Sequence, residues 1–127
     1  MRLKNFSLTY GTQIFKAFSD EARVRIIHLL HSAKELSISD LELILEFTQT
    51  KTSRHITYLK NSGLLNSRKQ DQWVLYSIKE EVSFLVTDII SFIQKDQTLI
   101  KDLEVHDTMK ANRELATKKI ESKDYRI

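Results

Sequence analysis

Thr48-Gln49-Thr50-Lys51-Thr52-Ser53-Arg54-His55-Ile56-Thr57-Tyr58-Leu59-Lys60-Asn61-Ser62-Gly63-Leu64-Leu65 carries two patterns in one short run. Thr48 can cap a helix with its hydroxyl, and Gly63 suits the left-handed position that ends one. On that helix Thr52, Ile56 and Leu59 fall at i, i+4 and i+7, which makes a packing face. Lys51, Arg54, His55 and Tyr58 repeat the same spacing on another face, with Ser53, Thr57 and Lys60 on a flank. The outward side is a dense set of hydrogen-bond donors gathered in the first two turns. A DNA major groove admits one α-helix and offers acceptors along purine edges. Arginine can pair with guanine and glutamine with adenine, while hydroxyls and the helix N-terminus meet phosphate oxygens.

The flanks of this segment fit the same reading. Asp40 to Glu46 reads as a helix with Leu41, Ile44 and Leu45 facing inward and Ser39 as its cap. A brief break then separates it from the segment capped by Thr48, which is helix-turn-helix spacing. Downstream, Leu64 to Gln70 and Trp73 to Ile78 read as two strands joined by a tight turn at Asp71-Gln72. Arg68 and Lys69 stand next to the tip of that hairpin, and Trp73 is expected to pack at its base. The expected fold is mainly α with a small β-hairpin wing.

Phe6, Tyr10, Ile14 and Phe18 recur at steps of four and predict a first helix. Ser19-Asp20 caps a second, Glu21 to Leu30, expected to be the most buried. Glu35 to Ile38 alternates and is compatible with a strand. From Glu81, the positions Val82, Leu85, Val86, Ile89, Phe92, Ile93, Ile100 and Leu103 predict one long helix. It carries more large apolar residues than a small monomer covers. After Met109 the sequence turns polar. The expected organisation is therefore one domain, 1–109, and a tail, 110–127, that frays or stays loose.

Composition narrows the function. The chain has 127 residues and no cysteine, which excludes disulfides and thiolate metal sites and fits a reducing, cytoplasmic setting. Met1-Arg2-Leu3-Lys4 leads directly into mixed sequence, so no signal peptide is expected, and no run reaches the length of a membrane span. With no proline and only Gly11 and Gly63, there is no phosphate-cradling glycine loop. Net charge is +3, unevenly spread. From Thr48 to Lys79 there are six basic residues against one acid, and from Glu80 to Asp107 seven acids against two lysines. A basic middle beside an acidic helical segment suggests a surface facing a polyanion.

Several of these stretches together resemble one family. Phe15-Lys16-Ala17-Phe18-Ser19-Asp20-Glu21-Ala22-Arg23-Val24-Arg25-Ile26-Ile27 looks like the signature that opens ArsR-family winged-helix repressors. Thr48 to Ile56 resembles their recognition helix. Leu59 to Leu65 and Trp73 to Ile78 look like the helix end and the second wing strand. The resemblance covers about residues 10 to 90 in order. It implies a bacterial transcriptional repressor, a homodimeric winged helix-turn-helix protein on a palindromic operator in double-stranded DNA. By the same resemblance the DNA contacts are Gln49, Thr50, Ser53 and Arg54, with Lys51 and His55 beside them, and Arg68 and Lys69 on the wing. The first and last helices make the dimer, through Phe6, Tyr10, Ile14, Leu85, Ile89, Phe92 and Ile93.

The sequence departs from the family where metals are sensed. Relatives that sense arsenic, cadmium or lead carry cysteines in the third helix, whereas Glu35 to Leu41 here has serines, poor ligands for a soft metal. Zinc-sensing relatives pair Asp and His along the last helix, and Asp88, Asp102, His106 and Asp107 lack that spacing. No metal or other cofactor is expected. The glycine common before the recognition helix is Glu46 here, at a cost of about 1 kcal/mol if that residue is left-handed. No catalytic motif is present, so an enzyme is not expected. The alternative reading is a helical dimer that docks another protein through its acidic last helix without binding DNA.

Overall fold

The computed structural model describes residues 6–124. Its elements are α1 (Leu8–Ala17), α2 (Glu21–Ala33), β1 (Leu36–Ser37), α3 (Ile38–Leu45), α4 (Gln49–Asn61), β2 (Leu65–Gln70), β3 (Trp73–Ile78), α5 (Ser83–Ile93), α6 (Gln97–Ala111) and α7 (Ala116–Asp124), with a 3-10 turn at Glu80–Val82. Met1–Lys4 and the last three positions of the expected tail, 125–127, lie outside the described residues. The sheet is antiparallel in the order β1-β3-β2. Leu65 pairs with Ile78 and Gln70 with Trp73, which leaves Asp71 at the hairpin turn with φ 56°. Trp73 thus starts its strand at the wing tip, not at its base.

α2 is the centre of the core, as its apolar density predicts. Ile26, Ile27, Leu29 and Leu30 are buried against Leu36, Leu41, Leu59 and Val86 among others. Each such side chain contributes about 1.5–3 kcal/mol on leaving water. Asp20 and Thr48 accept from the backbone of α2 and α4 as expected, and Ser7, which the periodicity did not single out, does the same for α1. α3 begins two residues earlier than read, at Ile38. Ser37 is its cap, not Ser39, because Asp40 at the third position completes a reciprocal capping box.

Three other features set the frame for the site. Glu46 ends α3 with φ 58° and ψ 37°, so the left-handed residue before α4 is a glutamate. Gly63 takes φ +83° after α4, and a Cβ there would come within 2.5 Å of the Tyr10 ring. Tyr10 itself donates to the Gly63 carbonyl at 2.7 Å, tying α1 to the end of α4.

The expected single last helix is two. α5 stops at Ile93, and Asp96 caps α6 through bonds from the Thr98 and Leu99 amides. α6 then folds back onto α2 and α3. The segment expected as a loose tail is also different. Leu115, Ala116 and Ile120 are buried, and the Ala116 amide donates to Asp40 Oδ1 at 2.6 Å. Three apolar residues among many charges are too few for periodicity to reveal, yet they suffice to dock α7 beside β1.

Candidate nucleic-acid interface

α4 is seated by its inward face and presents its outward one. Thr52, Ile56 and Leu59 are buried, and the Thr52 hydroxyl donates to the Thr48 carbonyl at 2.8 Å. The Thr48 hydroxyl accepts from the Lys51 amide at 3.1 Å, which closes the first turn. Gln49, Thr50 and Arg54 are exposed, while Lys51, Ser53 and His55 are half-buried. Gln49, Thr50 and Arg54 make no side-chain hydrogen bond or ion pair among the described residues. Their donors are open to a ligand at the helix's N-terminal half.

Not all of the expected donor face is open. The Arg23 guanidinium lies 4.1 Å from the Tyr58 ring centroid and also donates to the Ala17 and Lys16 carbonyls. Tyr58 is therefore held by α2. His55 is pushed below the ordinary histidine range, first by burial and then by Arg23, Lys51 and Arg54, while Asp20 opposes the shift. A neutral imidazole keeps one donor and one acceptor. The Lys51 ammonium sits 4.0 Å from the ring centroid of Phe47, in the bend before α4.

The two wing residues part company. Arg68 donates through Nε and Nη2 to the Glu35 carboxylate at 2.6 and 2.8 Å, and through Nη1 to Gln70 at 2.7 Å. The pair holds Glu35 below the usual carboxylate range, chiefly through these hydrogen bonds. Lys69 is exposed and has no such bond among the described residues. Arg68 thus fastens the wing to the segment before β1, and Lys69 is the wing's open cation.

The residues expected at a dimer face divide in the same way. Ile14 is 2% exposed and belongs to the core, and Tyr10 is half-buried against Gly63. Leu85, Ile89 and Ile93 are half-buried, and Phe6 sits at the margin of exposure. Phe92 is 85% exposed. Leu8 at 84% and Phe15 at 66% are open apolar side chains that the four-residue stripe on α1 passed over. Their own spacing of seven marks a second stripe on the opposite side of that helix.

The serine stretch has its donors committed. Ser37 Oγ accepts from the Asp40 amide at 3.1 Å and lies 2.9 Å from Ser39 Oγ. Asp40 Oδ2 accepts from the Ser37 amide and Oδ1 from Ala116. A soft metal does not fit there. Asp102 is occupied by Arg25, at 2.9 and 3.0 Å, and His106 lies 3.1 Å from Asp107. No three His, Asp or Glu side chains converge among the described residues. Neither is any described helix long and apolar enough to cross a membrane.

Comparison with known proteins places this geometry. Residues 20–67 match the family described as bacterial regulatory protein, arsR family. The arsenical resistance operon repressor of Escherichia coli K12 is 36% identical over 96 residues, which cover 72% of this chain and 82% of that protein. HlyU from Vibrio cholerae superposes with a TM-score of 0.60 at 31% identity, covering 65% of this chain and 90% of that one. A homodimeric winged helix-turn-helix DNA-binding domain from Mycobacterium bovis superposes with a TM-score of 0.60 at 21% identity, covering 71% and 87%, and shares the fold.

Proposed function

This chain belongs to the arsR family and is a DNA-binding transcriptional regulator, and from that premise we propose that it acts as a dimeric, cytoplasmic repressor on a palindromic operator. α4 enters the major groove with its N-terminal half first. Gln49, Thr50, Ser53 and Arg54 read base edges and adjoining phosphates, with Lys51 and His55 on the phosphate side. Lys69 meets the backbone from the wing. Two copies joined through α1 and α5 hold their α4 helices about one DNA turn apart, as two-fold half-sites require. We assign no catalytic role to any residue.

The observation that carries this reading is the open, uncommitted donor set of Gln49, Thr50 and Arg54 on a helix whose other face is locked into the core. Its signal input is not a thiolate-bound metal, since the chain has no cysteine and its serines and Asp40 are spent on α3 and α7. The test begins with selection of bound duplexes from a random pool, followed by titration. Arg54→Ala should lower specific affinity by about 1–3 kcal/mol and relax the base preference at one position. A variant that keeps wild-type affinity and preference would remove α4 as the reader.

A further inference from the structure

We propose that Phe47 and Asp102 are positioning residues for DNA binding, setting the Lys51 ammonium through a relay that runs from α6 to α4. The proposal rests on the reading of α4 as the DNA-entering helix. The relay has four members. Asp102 on α6 is buried and accepts two hydrogen bonds from Arg25 of α2, at 2.9 and 3.0 Å. The Arg25 guanidinium carbon lies 5.3 Å from the Phe47 ring centroid. Lys51 Nζ lies 4.0 Å from the same centroid. Phe47 itself is half-buried in the bend between α3 and α4, packed against the core.

The chemistry explains why the acid matters at a distance. An aromatic face attracts cations through its quadrupole, but two cations near one ring repel each other. Asp102 compensates the charge of Arg25, so Lys51 keeps its place on the ring. A seated lysine has already given up part of its rotamer freedom before it meets a phosphate, and pre-ordering of that kind favours binding. Without the carboxylate, Arg25 loses both of its hydrogen bonds and keeps only the weaker attraction of Glu21, so its charge near the shared ring repels Lys51 and the ammonium leaves the ring. α6 thereby acts on a residue in the first turn of α4 without approaching DNA.

Two measurements test the relay. In the full chain without DNA, ring-current displacement of the Lys51 side-chain resonances should vanish in Phe47→Leu, shrink in Asp102→Asn and persist in Phe47→Tyr. Replacing both Arg25 and Asp102 by leucine removes the competing cation together with its acid, so Lys51 should stay seated. With DNA, Asp102→Asn and Phe47→Leu should each weaken binding by about three- to tenfold, and neither should weaken it further in a Lys51→Gln background. Asp88→Asn, an exposed acid on α5, should change neither readout. An equal loss of affinity in the Lys51→Gln background would overturn the proposal, as would an unmoved Lys51 spectrum in Asp102→Asn. Were the chain to bind no DNA at all, the functional reading would fail, while the Lys51 spectrum would still decide the relay.

Discussion

Arg68 and Lys69 are neighbours on β2, and their charges have different uses. Lys69→Ala should weaken binding to all duplexes alike and flatten the salt dependence by about one unit, as expected for a lost phosphate contact. Arg68→Ala should leave the salt slope unchanged and cost at most about 1 kcal/mol of stability, since its pair with Glu35 is largely solvent-screened. Titrations at several salt concentrations separate the two. A second residue-scale prediction concerns protons. His28 is buried with Nδ1 unpartnered among the described residues, and burial pushes its pKa down, with His31 adding to the shift and Asp102 opposing it. The folded state thus holds fewer protons than the unfolded one below about pH 6.5, so stability is full above that pH and falls as the pH drops through and below it. His28→Leu removes both the titration and the orphaned nitrogen. Urea midpoints should therefore rise more for this variant at about pH 5 than at pH 8. The exposed donors on α4 were legible because their helix is local. The Glu35–Arg68 pair was not, because its partners are 33 residues apart and no spacing rule joins them.

At the scale of elements, Asp40 has the most demanding position. One carboxylate completes the capping box of α3 with Oδ2 and receives the first amide of α7 with Oδ1. Asp40→Asn keeps the size but turns an NH2 toward one of these two N–H donors. The cost should be about 2–3 kcal/mol, the penalty of an unsatisfied buried amide next to a charge-assisted bond lost. Thermal unfolding checks it, and hydrogen exchange should show α7 amides losing protection before those of α2. Such an effect was not foreseeable from the sequence. Capping residues, helix periodicity and hairpin spacing are short-range signals, and they placed α1, α2, α4 and both hairpin strands. The break at 94–96 and the docking of α7 depend on contacts made only after the chain has folded back. An apolar count over Val82 to Leu103 is the same for one helix or two, and only the Asp96 cap distinguishes them.

For the whole molecule the open question at the surface is what covers Leu8, Phe15 and Phe92, which are 84%, 66% and 85% exposed. A second copy is the occupant consistent with the proposed function, since two-fold DNA needs two α4 helices in fixed separation. Phe15 lies on α1 and Phe92 on α5, the two elements assigned to that interface, and neither contributes to the core. Ile14, the neighbour of Phe15, is buried in its own protomer. The two adjacent positions therefore make opposite predictions. If a second copy covers these side chains, Phe15→Glu or Phe92→Glu places a charge in an apolar contact, so sedimentation should find the unaltered chain dimeric and the variants monomeric, with the melting of the isolated protomer little changed. Ile14→Ala should cost about 2–5 kcal/mol of protomer stability through the cavity it leaves, without selectively weakening association of the folded chain. Operator binding should follow the first pair and not the second. A monomeric variant still presents one intact reading helix, so it should keep half-site preference while losing most of the affinity that linking two half-sites provides. If the glutamate variants remain dimeric, α1 and α5 are not the clasp, and the separation of the two reading helices must be set by another surface.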